Sequence, residues 1–158
     1  MIRTGIGYDS HCLVAGRPLI LGGIRIPFEL GLQGHSDADA VAHALTDALL
    51  GAAAAGDIGT LFPDTDPRWK DADSLALLAL ACTAIRERGF VPQQADITVI
   101  AERPRLGGYF AAMAGALSRA SGIPVSAIGL KAKTNEGMGW IGRGEGIAVI
   151  AVATIGAA

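Results

Sequence analysis

Ser36 to Gly56 reads SDADAVAHALTDALLGAAAAG. Ser36 and Asp39 have the S-x-x-D spacing of a capping box, in which side-chain oxygens satisfy the amide donors left open at a helix start. Val41, Leu45, Ala48 and Leu49 then recur on one helical face, and Gly56 supplies a stop. The spacing predicts a helix over Asp39–Ala54, with His43 in its first turn or so. Upstream, Ile2–Leu13 reads as a strand interrupted by Gly5 and Gly7. Leu19–Pro27 (LILGGIRIP) reads as a second strand after the turn Ala15-Gly16-Arg17-Pro18. Downstream, Asp57–Asp71 is aperiodic and polar. At roughly fifteen residues it exceeds ordinary loop length, which is commonly a mark of function. Asp73 or Ser74 can cap a second helix through Arg88. Val91–Ala101 reads as a strand, Leu106–Ala120 as a third helix ended by Gly122 and Pro124, and Ile128–Lys133 and Glu145–Thr154 as the last strands. The order β-β-α-α-β-α-β-β predicts an α/β fold, a two-layer sandwich of mostly one β-sheet covered by helices on one face. No linker or repeat breaks residues 1–158, so one domain is expected.

The 158 residues are 51% hydrophobic and only 18% charged, with a net charge of −2. Average proteins carry about 25% charged residues. Much of the apolar content is small, with 22 Gly and 29 Ala, while aromatics are 5%. Small side chains let backbones approach closely but bury little area each, so an oligomer is expected. The charge balance, with no Lys/Arg cluster, argues against a nucleic-acid binder. The longest apolar stretch, Ile147–Ile155, is about half the ~20 residues of a bilayer span. MIRTGIGYDSH lacks the apolar region of a secretory signal. Cys12 and Cys82 form no CxxC pair and read as small buried hydrophobes, so a reducing, cytoplasmic setting is expected.

The chain has three histidines, His11, His35 and His43. Asp9 and His11 lie two apart on a predicted strand and so share a face. With His43 they form a carboxylate–imidazole set suited to tetrahedral zinc with one position open. A D-x-H pair is also common on ordinary strands. His35 and the amides opening the helix are donors for an anionic oxygen. Asp57, Asp64 and Asp66 offer acceptors for hydroxyls or a second cation, or else make turns and caps. Trp69 reads as a packing anchor. Lys131–Gly146 (KAKTNEGMGWIGRGEG) combines Lys131, Lys133, Thr134, Asn135 and Glu136 with five glycines, a composition that suits phosphates and magnesium. A ligand-free glycine-rich hairpin is the competing reading. Arg103-Pro104-Arg105-Leu106-Gly107 is a strand–helix connection whose amides and guanidiniums can meet a diphosphate or a base edge.

Taken together, GIGYDSH, GRPLILGGIRIP, LQGHSDADAVAHALTDALLGAAAAGDIGTLFPD, the following DADS, and KAKTNEGMGWIGRGEGIAV resemble the 2-C-methyl-D-erythritol 2,4-cyclodiphosphate synthase family nearly end to end. The resemblance implies a homotrimer with active sites between neighbouring chains. It implies that 4-diphosphocytidyl-2-C-methyl-D-erythritol 2-phosphate closes on itself, its 2-phosphate attacking the β-phosphorus and expelling CMP, in the non-mevalonate isoprenoid pathway. By motif, Asp9, His11 and His43 would hold zinc, with Asp9 and His11 also against the substrate. His35 and Ser36 would hold phosphate groups, His35 acting catalytically. Asp57, Ile58, Gly59, Phe62, Pro63, Asp64, Thr65 and Asp66 would clasp the methylerythritol. Ala101, Glu102, Arg103, Pro104, Arg105, Leu106 and Gly107 would receive cytosine and ribose, mainly through backbone, since the basic residues of AERPRLGG sit differently from those of lysine-bearing relatives. Lys133, Thr134, Asn135 and Glu136 would meet the diphosphate, Thr134 catalytically and Glu136 through Mg2+ or Mn2+, with Trp140 and Arg143 also in contact.

Nucleophile and electrophile then belong to one molecule. Effective molarities of about 10⁵–10⁸ M in well-oriented intramolecular reactions show how much such folding contributes. Anion attacks anion, so two cations must screen the repulsion. No general base is expected, because a phosphate monoester has a second pKa of about 6. Two rival readings predict different outcomes. A metal-dependent nucleotide phosphohydrolase would use water as nucleophile. A trimeric metal- or isoprenoid-binding module without turnover would place Arg143 and Glu145 along an apolar cavity on a three-fold axis.

Overall fold

The computed structural model describes residues 1–158. Strand β1 spans Ile2–Val14, and alternation along it points Gly5, Gly7, Asp9 and His11 to the sheet's covered side. Helix α1, Ala40–Ala52, lies across that side. The glycines do not interrupt β1; they are where α1 rests on it. A Cβ on Gly5 would stand 2.0 Å from the Ala48 carbonyl oxygen. Only a side-chain-free strand lets the helix backbone come so close. Leu45 and Leu49 of α1 are fully buried, and each such burial is worth about 1.5–3 kcal/mol.

The predicted strand Leu19–Pro27 is two, β2 (Leu19–Leu21) and β3 (Ile24–Ile26), paired antiparallel in a ribbon of their own. Gly22 and Gly23 take φ of 58° and 75°, and a two-residue hairpin turn with both central residues at positive φ is the form that suits strand twist. A short β4, Gly31–Leu32, pairs with the end of β1.

The predicted loop after α1 contains a helical turn, α2 (Ile58–Leu61), and a 3-10 turn at Pro67–Trp69. It ends at α3, Ser74–Glu87, capped by Asp73 through Leu75 N. The α1 helix itself closes at Ala53, short of Gly56, with Ala54 at φ 51° turning the chain. Strand β5 (Phe90–Ile100) follows, then a 3-10 turn and α4 (Phe110–Ser121), which starts later than the predicted Leu106. The chain continues through β6 (Ile128–Lys133), the four-residue α5 (Gly139–Gly142) and β7 (Gly146–Ala157). The main sheet has the order β4-β1-β7-β5-β6, with β5 and β6 parallel and joined through α4.

The predicted sandwich of one main sheet with helices on one face is therefore present. Ile97, Val99, Val149, Ala151 and Ala153 bury toward the helices. The opposite face stays open: Ile6 is 70% exposed, and Tyr8, Ile150 and Val152 accompany it. Cys82 is buried as expected, whereas Cys12 is exposed. Cys12 sits at an even position of β1 and faces the uncovered side. No helix is long and apolar enough to cross a membrane.

Candidate active site

Asp9 and His11 stand on β1, and the close seating of α1 on Gly7 brings His43 over them. The Asp9 Oδ2 lies 2.7 Å from His11 Nε2 and 3.0 Å from His43 Nδ1. The two ring nitrogens are 3.4 Å apart. Burial alone would raise the Asp9 carboxyl, but the hydrogen bonds from both histidines and their charges outweigh it and hold it below the ordinary value of 3.8. Burial likewise depresses His11, yet the Asp9 hydrogen bond and charge prevail and raise it.

These three ligand atoms fit a metal ion. Zinc bonds of about 2.0–2.1 Å in a tetrahedron place ligand atoms roughly 3.4 Å apart, so only a slight opening of the cluster is needed. His11 and His43 border a cavity of about 350 Å³ that is also lined by His35, Ser36, Ile58, Gly59, Phe62, Pro63, Asp64, Trp69 and Leu77. The open side of the cluster thus faces space large enough for a small ligand.

The helix start differs from the predicted capping box. Asp39, not Ser36, caps α1, accepting from Ala42 N at 3.0 Å. The intervening Ala38 sits at φ 58°, so the chain enters the helix only after Asp39. Asp39 also accepts from Gly22 N and Gly23 N, which pins the β2–β3 ribbon to the helix. Its burial pushes the carboxyl up to about 6 despite these amide donors. The Ala42 amide is therefore already taken, and the expected anion contact from the first helical turn loses that donor. Ser36, freed from capping, directs its hydroxyl to within 3.1 Å of His43 Nε2.

In the Asp57–Asp71 segment, Asp57 is the cap of α2 and bonds the Thr60 amide and hydroxyl, which lowers its carboxyl. Asp66 pairs with Arg68, whose hydrogen bonds lower it too. Asp64 borders the cavity, and Thr65 is exposed. Trp69 packs edge-on against Phe62, ring centres 5.0 Å apart, so the expected packing anchor is also a cavity wall.

The remaining site candidates lie elsewhere. None of Ala101–Gly107 or Lys133–Arg143 borders the first cavity. Glu102, Arg103 and Arg143 line a second one of about 250 Å³ with Phe28 and Glu29. Glu102 spends its carboxylate on the Asn135 and Gly137 amides, at 2.8 and 3.3 Å, holding the turn that presents Thr134 and Glu136. That turn needs Glu136 at φ 53° and leaves its side chain exposed. Arg103 pairs with Glu29, and Pro104 follows it through a cis peptide. Ala101 and Leu106 are buried in the core, Gly107 opens the 3-10 turn, and Arg105, Lys133 and Trp140 are exposed. Within one chain the candidates thus form two separate groups.

Ser74, which touches the cluster, and Asp37 behind it were not singled out as functional by the sequence. Ser74 Oγ lies 2.7 Å from His43 Nε2 and bonds in turn to Asp37. The string DADS at 71–74 was a visible signal, but only its capping role was readable without knowing that α3 packs on α1.

Comparison with known proteins places the whole chain. The model of the YgbB family matches residues 2–156. The 2-C-methyl-D-erythritol 2,4-cyclodiphosphate synthase of Salinibacter ruber is 52% identical over 98% of both chains. A CDP-bound structure of a 2C-methyl-D-erythritol-2,4-cyclodiphosphate synthase superposes with a TM-score of 0.89 at 44% identity, covering 98% of this chain and 100% of that one. The bifunctional IspDF from Campylobacter jejuni gives a TM-score of 0.96 at 43% identity over 100% of this chain, which spans 43% of that longer protein.

Proposed function

The chain belongs to the YgbB family, and from that premise we propose the reaction its site carries out. It is an enzyme of the lyase class that forms 2-C-methyl-D-erythritol 2,4-cyclodiphosphate in the non-mevalonate pathway. The substrate is 4-diphosphocytidyl-2-C-methyl-D-erythritol 2-phosphate, and CMP leaves. The observation that carries this reading is the convergence of Asp9, His11 and His43 beside a cavity bordered by His35 and Ser36.

Asp9, His11 and His43 would hold Zn2+, and Glu136 would hold Mg2+ or Mn2+ with the substrate phosphates. Bound cations supply charge neutralisation for a phosphate attacking a phosphate. The protein's own part is to fold the substrate. His35 and Ser36 donate to phosphate oxygens, and Thr134 donates to the diphosphate. Phe62, Trp69 and Leu77 wall the cavity against water, and Asp64 at its rim accepts from a hydroxyl. No side chain is needed as base, since the attacking phosphate is largely ionised above its second pKa of about 6.

The two separate groups of site residues support a homotrimer in which the first group of one chain faces the second group of its neighbour. The open sheet face with Ile6, Tyr8, Ile150 and Val152 gives such an assembly an apolar surface to bury. Two unbridged cysteines suit the reducing cytoplasm.

Incubation with the diphosphocytidyl substrate, followed by phosphorus NMR, tests the reaction. A cyclic diphosphate with one equivalent of CMP is the expected result. Two open phosphates would make the protein a phosphohydrolase, and an unchanged spectrum would make it a binding module.

A further inference from the structure

We propose that Arg17 is a positioning residue that clamps the chain on both sides of His35 and so fixes where the imidazole stands. The inference rests on the reading of His35 as a phosphate donor and adds the group that sets it. His35 is exposed, and Gly34–Asp39 belongs to neither helix nor strand, so no regular hydrogen-bond ladder holds this segment. Its place at the cavity depends on what its carbonyls meet.

Arg17 lies in the turn between β1 and β2. From there its Nη1 donates to the Gly34 carbonyl oxygen at 3.1 Å and its Nη2 to that of Ser36 at 2.8 Å. The carbonyl between them, of His35, accepts from Asp71 N at 2.9 Å. Asp37 N closes the segment by donating to the Ala72 carbonyl oxygen at 3.2 Å. Three consecutive carbonyls are thus held, the outer two by one side chain.

A guanidinium suits this task because its donors form a rigid planar fork, whereas an ammonium is a point charge on a flexible stem. The fork also has a firm base. A Cβ on Gly31 would stand 2.1 Å from the Arg17 carbonyl oxygen, so the Arg17 backbone rests directly on β4, just upstream of Gly34. Seating the guanidinium here leaves its Nε buried with no partner, a cost that the two Nη contacts must offset. Arg17 does not border the His35 cavity; it lines another, of about 270 Å³, which Ser36 also borders. Arg17 therefore acts through the Gly34–Ser36 segment.

A double-mutant cycle with His35, read as CMP release by the zinc- and magnesium-loaded enzyme, tests this. Misplacing a catalytic group by about 1 Å can cost 10²-fold, so Arg17→Ala should lower kcat by up to about 10²-fold at parent zinc content. In a His35→Ala background the same substitution should cost much less, because residues acting through one another do not add. Arg17→Lys keeps the charge without the fork and should fall between parent and Arg17→Ala. It also carries the cycle if Arg17→Ala does not fold. Amide hydrogen exchange by NMR reads the clamp without turnover: the Asp71 and Asp37 amides should exchange faster in Arg17→Lys.

Equal fold-losses in the two backgrounds, parent-level turnover or unchanged exchange in Arg17→Lys, or zinc loss in Arg17→Ala overturns the assignment. His35→Ala turning over at the parent rate overturns the catalytic reading of His35 instead, and the exchange measurement then decides the clamp separately.

Discussion

A Cβ on Gly7 would stand 1.9 Å from the carbonyl oxygen of Ala44, so β1 and α1 meet backbone to backbone next to the Asp9–His11–His43 cluster. Gly7→Ala must push the helix outward. Overpacking of this kind costs typically 1–3 kcal/mol, which is about 2–4 °C in Tm per kcal/mol at this size. Because α1 carries His43, zinc affinity should fall together with Tm. Gly108→Ala, where a Cβ meets nothing within 4 Å, should change neither and serves as the control.

Asp9→Ala and His43→Ala should each lose zinc, as read by metal analysis of the purified protein. Full occupancy in either variant would contradict the ligand set. Chelator should stop CMP release in the parent, and added zinc should restore it.

His35 borders the cavity but is outside the ligand cluster. His35→Ala should keep zinc at parent level while slowing CMP release by about 10²–10³-fold, the range for removing one donor to transition-state charge. Equal turnover would remove His35 from the catalytic residues.

Cys82 is buried in the core, and burial pushes its thiol up to about 11. At neutral pH almost no thiolate is present to react. In a Cys12→Ser background, a thiol reagent should leave the native protein unlabelled and take up one equivalent only on unfolding.

Asp39 provides a pH test. Burial raises its folded pKa to about 6, above the ordinary 3.8. Its contribution to stability is therefore fully present below pH 3.8 and is lost as pH rises through about 6. Relative to Asp39→Asn, whose side chain does not titrate, the parent's stability should decline over that window in denaturant titrations. A pH-independent difference would show that the amides of Gly22, Gly23 and Ala42 cancel the burial.

The helices and long strands were legible because their apolar periods are unambiguous, α1 most of all. The hairpin inside Leu19–Pro27 was missed as a break, although Gly22-Gly23 is a turn signal, because the apolar run continues through it. The cap at Asp39 was shifted because S-x-x-D does not encode that Ala38 would adopt a left-handed turn. Asp9 and His11 were readable as a pair, since the strand period fixes their shared face, and His43 joined them on ligand chemistry and not on a helix face. The contact of Ser74 with His43 was not legible, because it arises from two helix starts meeting in space. The exposure of Cys12 depends on which face of the sheet stays uncovered, and local sequence does not state that.

Ser74 opens α3 while touching the ring of His43, so the Asp9–His11–His43 cluster is wired to the seam between two helices. Loosening of that seam, by heat or by a distant core substitution, acts directly on the imidazole through this contact. Metal retention is then a strain gauge for the whole helical layer, and partial damage should register as a demetallated but still folded population.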